Sequence, residues 1–335
     1  MAVETSSADI TERAYNALQA RALLVDRSAR LRMRFSGDKA AESLTGLVTS
    51  DVLALAPGKG QYAAALTPKG KVIADLRIFA REGDLLVDVN AAAAPGFVAM
   101  VRKFVNPRLA KYEDVTAQSG DLGLVGGGAG ALLRATLGDD AIPGDTAYSN
   151  TTTTSGGELL LVARVPDFGV DGFDIIGARG VIDELRAKLA AAGAIAETGD
   201  ALTIARIEAG RPEWGADMDD SVLAQEVDMD RLDAISLTKG CYTGQETVAR
   251  VHYRGHVNRH LRGLRFTDPA VPPPGTELLD VEGKSVGIVK TGALSPRRGA
   301  IALALIRREI EPGAVVRVSW ADHTGDAMVE PLPFP

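Results

Sequence analysis

Two short runs hold the residue types best suited to chemistry. The first is Lys239-Gly240-Cys241-Tyr242-Thr243-Gly244-Gln245-Glu246, which contains the only cysteine in 335 residues. Glycines on both sides of Cys241 let a ligand or another backbone approach closely. Thiolate is the reactive form of cysteine, and a nearby ammonium favours it. Lys239 lies two positions away, on the same face if the run is extended. Equally, Cys241 reads as a small buried apolar side chain in a tight turn. The second run is Arg206-Ile207-Glu208-Ala209-Gly210-Arg211-Pro212, a helix end stopped by glycine with proline just beyond. Glu208 there can accept two parallel hydrogen bonds from an amino-substituted heterocycle such as a pterin. It can also pair with Arg206 or Arg211 on a solvated surface.

Charge is segregated around these runs. Residues 213–233 hold eight acids and one base, Arg231; residues 239–265 hold six bases and one acid, Glu246. The basic stretch suits an anionic ligand, such as a polyglutamate tail or a phosphate backbone, or pairs with the acidic stretch across the fold. His252, His256 and His260 would align on a helix, but Gly255 and the alternating run after it favour turn and strand, so no metal site is assigned. Gly126-x-Gly128-x-x-Ala131 imitates a dinucleotide fingerprint, yet the following residues do not form a clean strand–helix–strand unit, and a plain turn is preferred. Nucleophile elbows, Walker loops and His-Glu-x-x-His are absent from the sequence.

These residues must be positioned by a chain long enough for two domains or three small ones. Hydrophobic residues are 46% and charged residues 24%, which excludes global disorder. The net charge of -7 argues against a general nucleic-acid coat or a polybasic membrane binder. A single cysteine builds no internal disulfide, and four histidines leave little for a zinc cage. Residues 1–10 lack an export signal, and the glycine-rich run 122–133 is too short to span a membrane, so a cytoplasmic protein without membrane contact is expected.

Hydropathy patterning predicts helices over 8–19, after Ser36-Gly37-Asp38, and over 95–105, 181–192 and 201–209. It predicts a strand pair within 22–34, a hairpin 62–66/72–79 turned by Thr67-Pro68-Lys69-Gly70, and strands at 85–89, near 115, 122–125, 159–165 and 173–176. Residues 151–157 read as a polar loop. After Gly255, short β-rich runs alternate with Pro/Gly turns, the pattern of a small all-β barrel. The expected organisation is α+β: a domain of residues 1–51 plus 119–257, an inserted α+β subdomain at 52–118, and a barrel at 258–335.

The run KGCYTGQE, followed by TVARVHYRG, resembles the signature of the YgfZ-type folate-binding proteins, relatives of the glycine cleavage T-protein. FSGDKAAESLTGLVTSDV, LTPKGKVIADLRIF and RIEAGRPEWGADM resemble other blocks of that superfamily, so the likeness covers about residues 34–265. It implies a three-domain cloverleaf with ferredoxin-like subdomains and a C-terminal barrel around a central folate channel. It implies tetrahydrofolate, or a one-carbon derivative, as cofactor, with Glu208, Tyr242 and Arg250 at the folate and Cys241 and Lys239 as the working thiol and its neighbour. It further implies iron–sulfur client or assembly proteins as partners, with a weak tRNA contact, since the type is associated with iron–sulfur enzymes that include a tRNA-thiomethylating one. T-proteins are expected to carry a catalytic aspartate shortly after an Asn-Ala pair. Here Asn90-Ala91 is followed by residues 92–97 without an acid, which places aminomethyl transfer second to an accessory role.

Overall fold

The computed structural model describes residues 7–197 and 199–335; residues 1–6, read above as carrying no export signal, lie outside it. The chain builds three bodies. One is a five-stranded sheet in the order Gly60–Leu66, Val72–Arg81, Asp84–Val89, Leu31–Ser36, Lys111–Asp114. The predicted hairpin forms its edge, with Ala63 opposite Leu76 and Tyr62 opposite Arg77. The helices Ala40–Thr45 and Ala94–Phe104 cover one face, burying Leu44, Phe97 and Val101 against Phe35 and Val87. Enclosing a side chain such as Phe97, which is fully buried, contributes on the order of 2–3 kcal/mol.

The second body is a six-stranded sheet in the order Ile195–Ala196, Leu23–Asp26, Ser119–Val125, Gly172–Ala178, Glu158–Arg164, Asn150–Ser155. The helices Ala129–Leu137 and Arg179–Ala191 bury Leu133, Ile182 and Leu185 on it. Ser7–Ala20 and Ala201–Glu208 contribute Leu18, Leu202 and Ala205 to a separate apolar cluster that includes Leu23 and Val125.

The third body is a closed six-stranded barrel. Its strand Gly299–Arg307 is buried on both faces: Ala300, Ala302 and Ala304 fill the barrel, while Ile301, Leu303 and Leu305 point out into a core shared with Tyr15, Tyr62, Ile204 and Met229. Small side chains inside and large ones outside suit the narrow interior of a small barrel. The α+β class with a C-terminal barrel is the architecture observed.

The structure departs from the sequence reading at three points. Leu23–Asp26 and Leu31–Ser36 are both strands, but they do not pair. The first lies beside Ser119–Val125 and Ile195–Ala196, the second beside Asp84–Val89 and Lys111–Asp114. Arg32, fully buried, donates its guanidinium to the carbonyls of Ser28, Arg30, Thr116 and Ser119, and the connection wraps around it. Leu31–Ser36 and Ala40–Thr45 belong with the unit expected at 52–118, not with residues 119–257. Residues 150–155 form an edge strand rather than a loop, Thr151–Ser155 pairing with Glu158–Val162; β-branched threonines suit a half-exposed pleat. Within the barrel expected at 258–335, His323–Glu330 is the closing strand, and its polar alternation carries little hydropathy signal.

Candidate functional site

A cavity of about 380 Å³ opens between the two sheets, within the range of small-molecule sites. Its wall comes from six separate segments. Asp75 and Arg77 sit at alternate positions of Val72–Arg81 and therefore share a face. Tyr62 stands beside them on the neighbouring strand. Arg27 and Arg30 come from the connection wrapped around Arg32, Asp167 and Phe168 from the loop after Glu158–Arg164, and Arg206, Arg211 and Glu213 from the end of Ala201–Glu208 and beyond. Asn90 and Ala91 line it too.

The charges are interlocked. Arg77 donates to Asp167 and Asp174 and lies 3.4 Å from Asp88, while Arg27 donates to Asp174 at 3.0 Å. Arg30 holds both oxygens of Asp88, at 3.0 and 2.7 Å. Burial alone would raise the pKa of Asp167, but Arg77, Arg27, Arg211 and Arg30 outweigh it and hold the carboxyl at about 2. Asp75 behaves oppositely. Burial raises its pKa against the pull of Arg30, the Tyr62 hydroxyl and Arg77. Its Oδ2 accepts the Tyr62 hydroxyl at 2.9 Å, and its buried Oδ1 has no hydrogen-bond partner within the protein. An unpartnered buried carboxylate oxygen on a cavity wall is a ready acceptor for a ligand N–H, because leaving it unpaired costs free energy.

The residues singled out by sequence lie elsewhere. Glu208 does not line the cavity. Its Oε2 accepts the Tyr15 hydroxyl at 2.8 Å and its Oε1 the Ser295 hydroxyl at 2.6 Å, joining a helix of the second body to the barrel. The pairing with Arg206 or Arg211 is not made: the charge beside Glu208 is Arg298, at 3.7 Å. Burial and then Glu208 push the Tyr15 hydroxyl to about 12.

Lys239 and Cys241 are likewise off the cavity, and they part company. The Lys239 ammonium is buried, donates to the carbonyls of Thr45, Val48 and Ser50, and lies 4.6 Å from the centre of the Tyr242 ring. Burial lowers its pKa to about 8 against the opposing charge of Asp51. Cys241 is exposed, so the two side chains of the motif stand in different surroundings. Tyr242 is buried beneath the same loop and Arg250 is exposed on the helix Gln245–Arg254; neither lines the cavity.

Other sequence signals find plain explanations. At Gly126 a Cβ would stand 2.3 Å from the Arg21 carbonyl, and at Gly127 2.3 Å from that of Gln19, so these glycines allow the turn to press on the first helix. His252 lies on the helix Gln245–Arg254, His256 beyond it and His260 on the barrel strand Arg259–Phe266; no metal-holding group exists among the described residues. The acidic and basic stretches do meet once, where Arg259 grips both oxygens of Glu226 at 2.9 and 3.0 Å.

The cavity wall had one legible signal. In Ile73-Ala74-Asp75-Leu76-Arg77-Ile78 two opposite charges stand two apart inside an otherwise apolar strand, the mark of a polar cluster on one sheet face. The same observation changes the argument from Asn90. That segment lacks an acid, but Asp75 supplies a buried carboxylate to the cavity that Asn90 lines.

Comparison with known proteins places this geometry. Residues 3–239 match the GCVT N-terminal domain and residues 259–334 the glycine cleavage T-protein C-terminal barrel domain. The chain is 30% identical over 322 residues to an aminomethyltransferase of Rubrobacter xylanophilus, covering 96% of this chain and 85% of that protein. It is 28% identical over 311 residues to the tRNA-modifying protein YgfZ of Klebsiella pneumoniae, covering 89% of each. It is 26% identical over 298 residues to a mitochondrial iron-sulfur cluster assembly factor IBA57 homolog of Mycosarcoma maydis, covering 81% of this chain and 67% of that one. In fold it superimposes on aminomethyltransferase T from Bartonella henselae with a TM-score of 0.86 at 22% identity, over 97% of this chain and 89% of that one. Among the described residues no helix is long and apolar enough to cross a membrane.

Proposed function

Because the chain belongs to the glycine cleavage T-protein family, we propose that it is a tetrahydrofolate-binding accessory factor supporting assembly or repair of iron–sulfur clusters in client enzymes of the cytoplasm, tRNA-modifying ones included. The observation that carries the ligand reading is the unpartnered Oδ1 of Asp75 on the wall of an arginine-rich cavity. Tetrahydrofolate, when bound, supplies a carrier for one-carbon groups. Asp75 would accept N–H donors of the aminopyrimidine edge, Tyr62 and Phe168 would give its rings apolar surface, and the arginines would receive the glutamate carboxylates. Cys241 acts from the surface loop, where a client protein reaches it. The names YgfZ and IBA57 among the relatives support the accessory role.

Calorimetric titration with tetrahydrofolate tests the ligand. Asp75→Asn is expected to weaken binding about tenfold or more, and unchanged affinity would remove Asp75 as the anchor. Cys241→Ala tests the accessory part: cells lacking the native protein and supplied with this variant should lose iron–sulfur enzyme activity, and full activity would defeat the role of the thiol.

A second reading, a folate-dependent aminomethyltransferase, is favoured by the same Asp75. Burial keeps a share of this carboxyl protonated at higher pH than usual, which suits a general acid. The relatives named aminomethyltransferase support it. Formation of methylenetetrahydrofolate from an aminomethyl donor, abolished by Asp75→Asn, would establish this reading in place of the first.

A further inference from the structure

Asp217 ties the barrel to the cavity wall. The residue is fully buried and both of its oxygens are engaged. Its Oδ1 accepts the hydroxyl of Thr291, on the barrel strand Ser285–Ser295, at 2.6 Å. Its Oδ2 accepts the backbone N–H of Glu213 at 3.0 Å and the Nη1 of Arg206. The same Nη1 donates to the Arg211 carbonyl at 2.7 Å, and the Arg206 Nε lies 3.4 Å from the Glu213 carboxylate. Arg206, Arg211 and Glu213 line the cavity; Asp217 and Thr291 do not.

A guanidinium is useful to an anionic ligand when its fork is already oriented, because less rotamer freedom is then lost on binding. Asp217 supplies that orientation, and its own placement depends on a hydroxyl from another body of the molecule. We propose that Thr291 and Asp217 are positioning residues, through which the barrel holds Arg206 ready for a carboxylate group of the ligand. This rests on the tetrahydrofolate reading above and adds to it that the barrel sets affinity without touching the ligand. Removing the hydroxyl leaves Asp217 Oδ1 buried and unpaired, so the carboxylate turns or takes up water, and Arg206 loses its fixed backing.

Thr291→Val removes the hydroxyl at nearly constant shape, and Thr291→Ser keeps it. Titration of both with tetrahydrofolate, beside the unaltered protein, should show Thr291→Val binding roughly tenfold more weakly and Thr291→Ser within about twofold. In an Arg206→Ala background, Thr291→Val should cost nothing further, since the effect runs through that guanidinium. A lowered melting temperature with unchanged affinity, or an equal loss with and without Arg206, would overturn the proposal while leaving the ligand reading intact. Absence of binding by the unaltered protein would overturn both.

Discussion

Lys239 and Cys241 stand two residues apart and face opposite environments: the ammonium is sunk among the carbonyls of Thr45, Val48 and Ser50, and the thiol is exposed. The lysine therefore fastens the loop, and the cysteine is what the loop presents. Thr243, whose N–H donates to the Gly46 carbonyl, secures the far side. The thiol is open to solvent, and the cavity between the two sheets does not include it.

Lys239→Met should accordingly destabilise the protein by roughly 2–4 kcal/mol, because it strips the donor from three carbonyls in a buried setting. Urea unfolding measures this, and a loss below about 1 kcal/mol would contradict the anchoring role. Cys241 in the unaltered protein should react with a thiol reagent to one equivalent per chain without denaturant.

Glycine substitutions separate the parts of the signature. A Cβ at Gly240 meets no atom within 4 Å, whereas Gly244 has φ +87° and its Cβ would lie 2.7 Å from the Thr67 carbonyl. Gly240→Ala should leave the melting temperature unchanged and Gly244→Ala should lower it by several degrees. Comparable losses would mean that the loop is packed differently.

Acid stability should depend on Asp167. Its folded pKa of about 2 lies below the ordinary 3.8, so its contribution is present above pH 3.8 and lost as pH falls toward 2. The stabilisation is roughly 2 kcal/mol. Denaturant unfolding at pH 5 should show Asp167→Asn weaker than the unaltered protein by about that amount, with the gap closing near pH 2.

Asp121 has the opposite sign. It is fully buried, neither of its oxygens finds a hydrogen bond, and burial together with Asp174 and Asp88 drives its pKa well above 3.8. The unfolded chain loses this proton first, so the contribution of Asp121 to stability declines as pH rises through the folded value. Asp121→Asn is expected to stabilise the protein, by more at pH 8 than at pH 5. Calorimetric melting at the two pH values checks it, and destabilisation at both would show that the carboxylate has a partner.

Much of this molecule was legible residue by residue. Alternating apolar positions located the 62–66/72–79 hairpin and the barrel runs, and helical spacing located 95–105 and 181–192, because burial of one face leaves a period in the chain. The octapeptide around Cys241 marked its lineage without reference to shape. Hydropathy period reports that a face is buried and says nothing of what buries it. Hence two strands adjacent in sequence, Leu23–Asp26 and Leu31–Ser36, read as partners, although they lie in different sheets. The partners of Glu208 are not legible locally, because Tyr15 and Ser295 lie 193 and 87 residues away. The cavity was hidden for the same reason. Asp75 and Arg77 stand out within an apolar strand, but Asp167 and Arg206 are ordinary charges in their own segments, and only long-range packing makes the four one wall. The sequence by itself determined the local elements and the thiol-bearing signature. Tertiary structure alone decided which charges are desolvated together, and desolvation is what turns a charged side chain into a binding group.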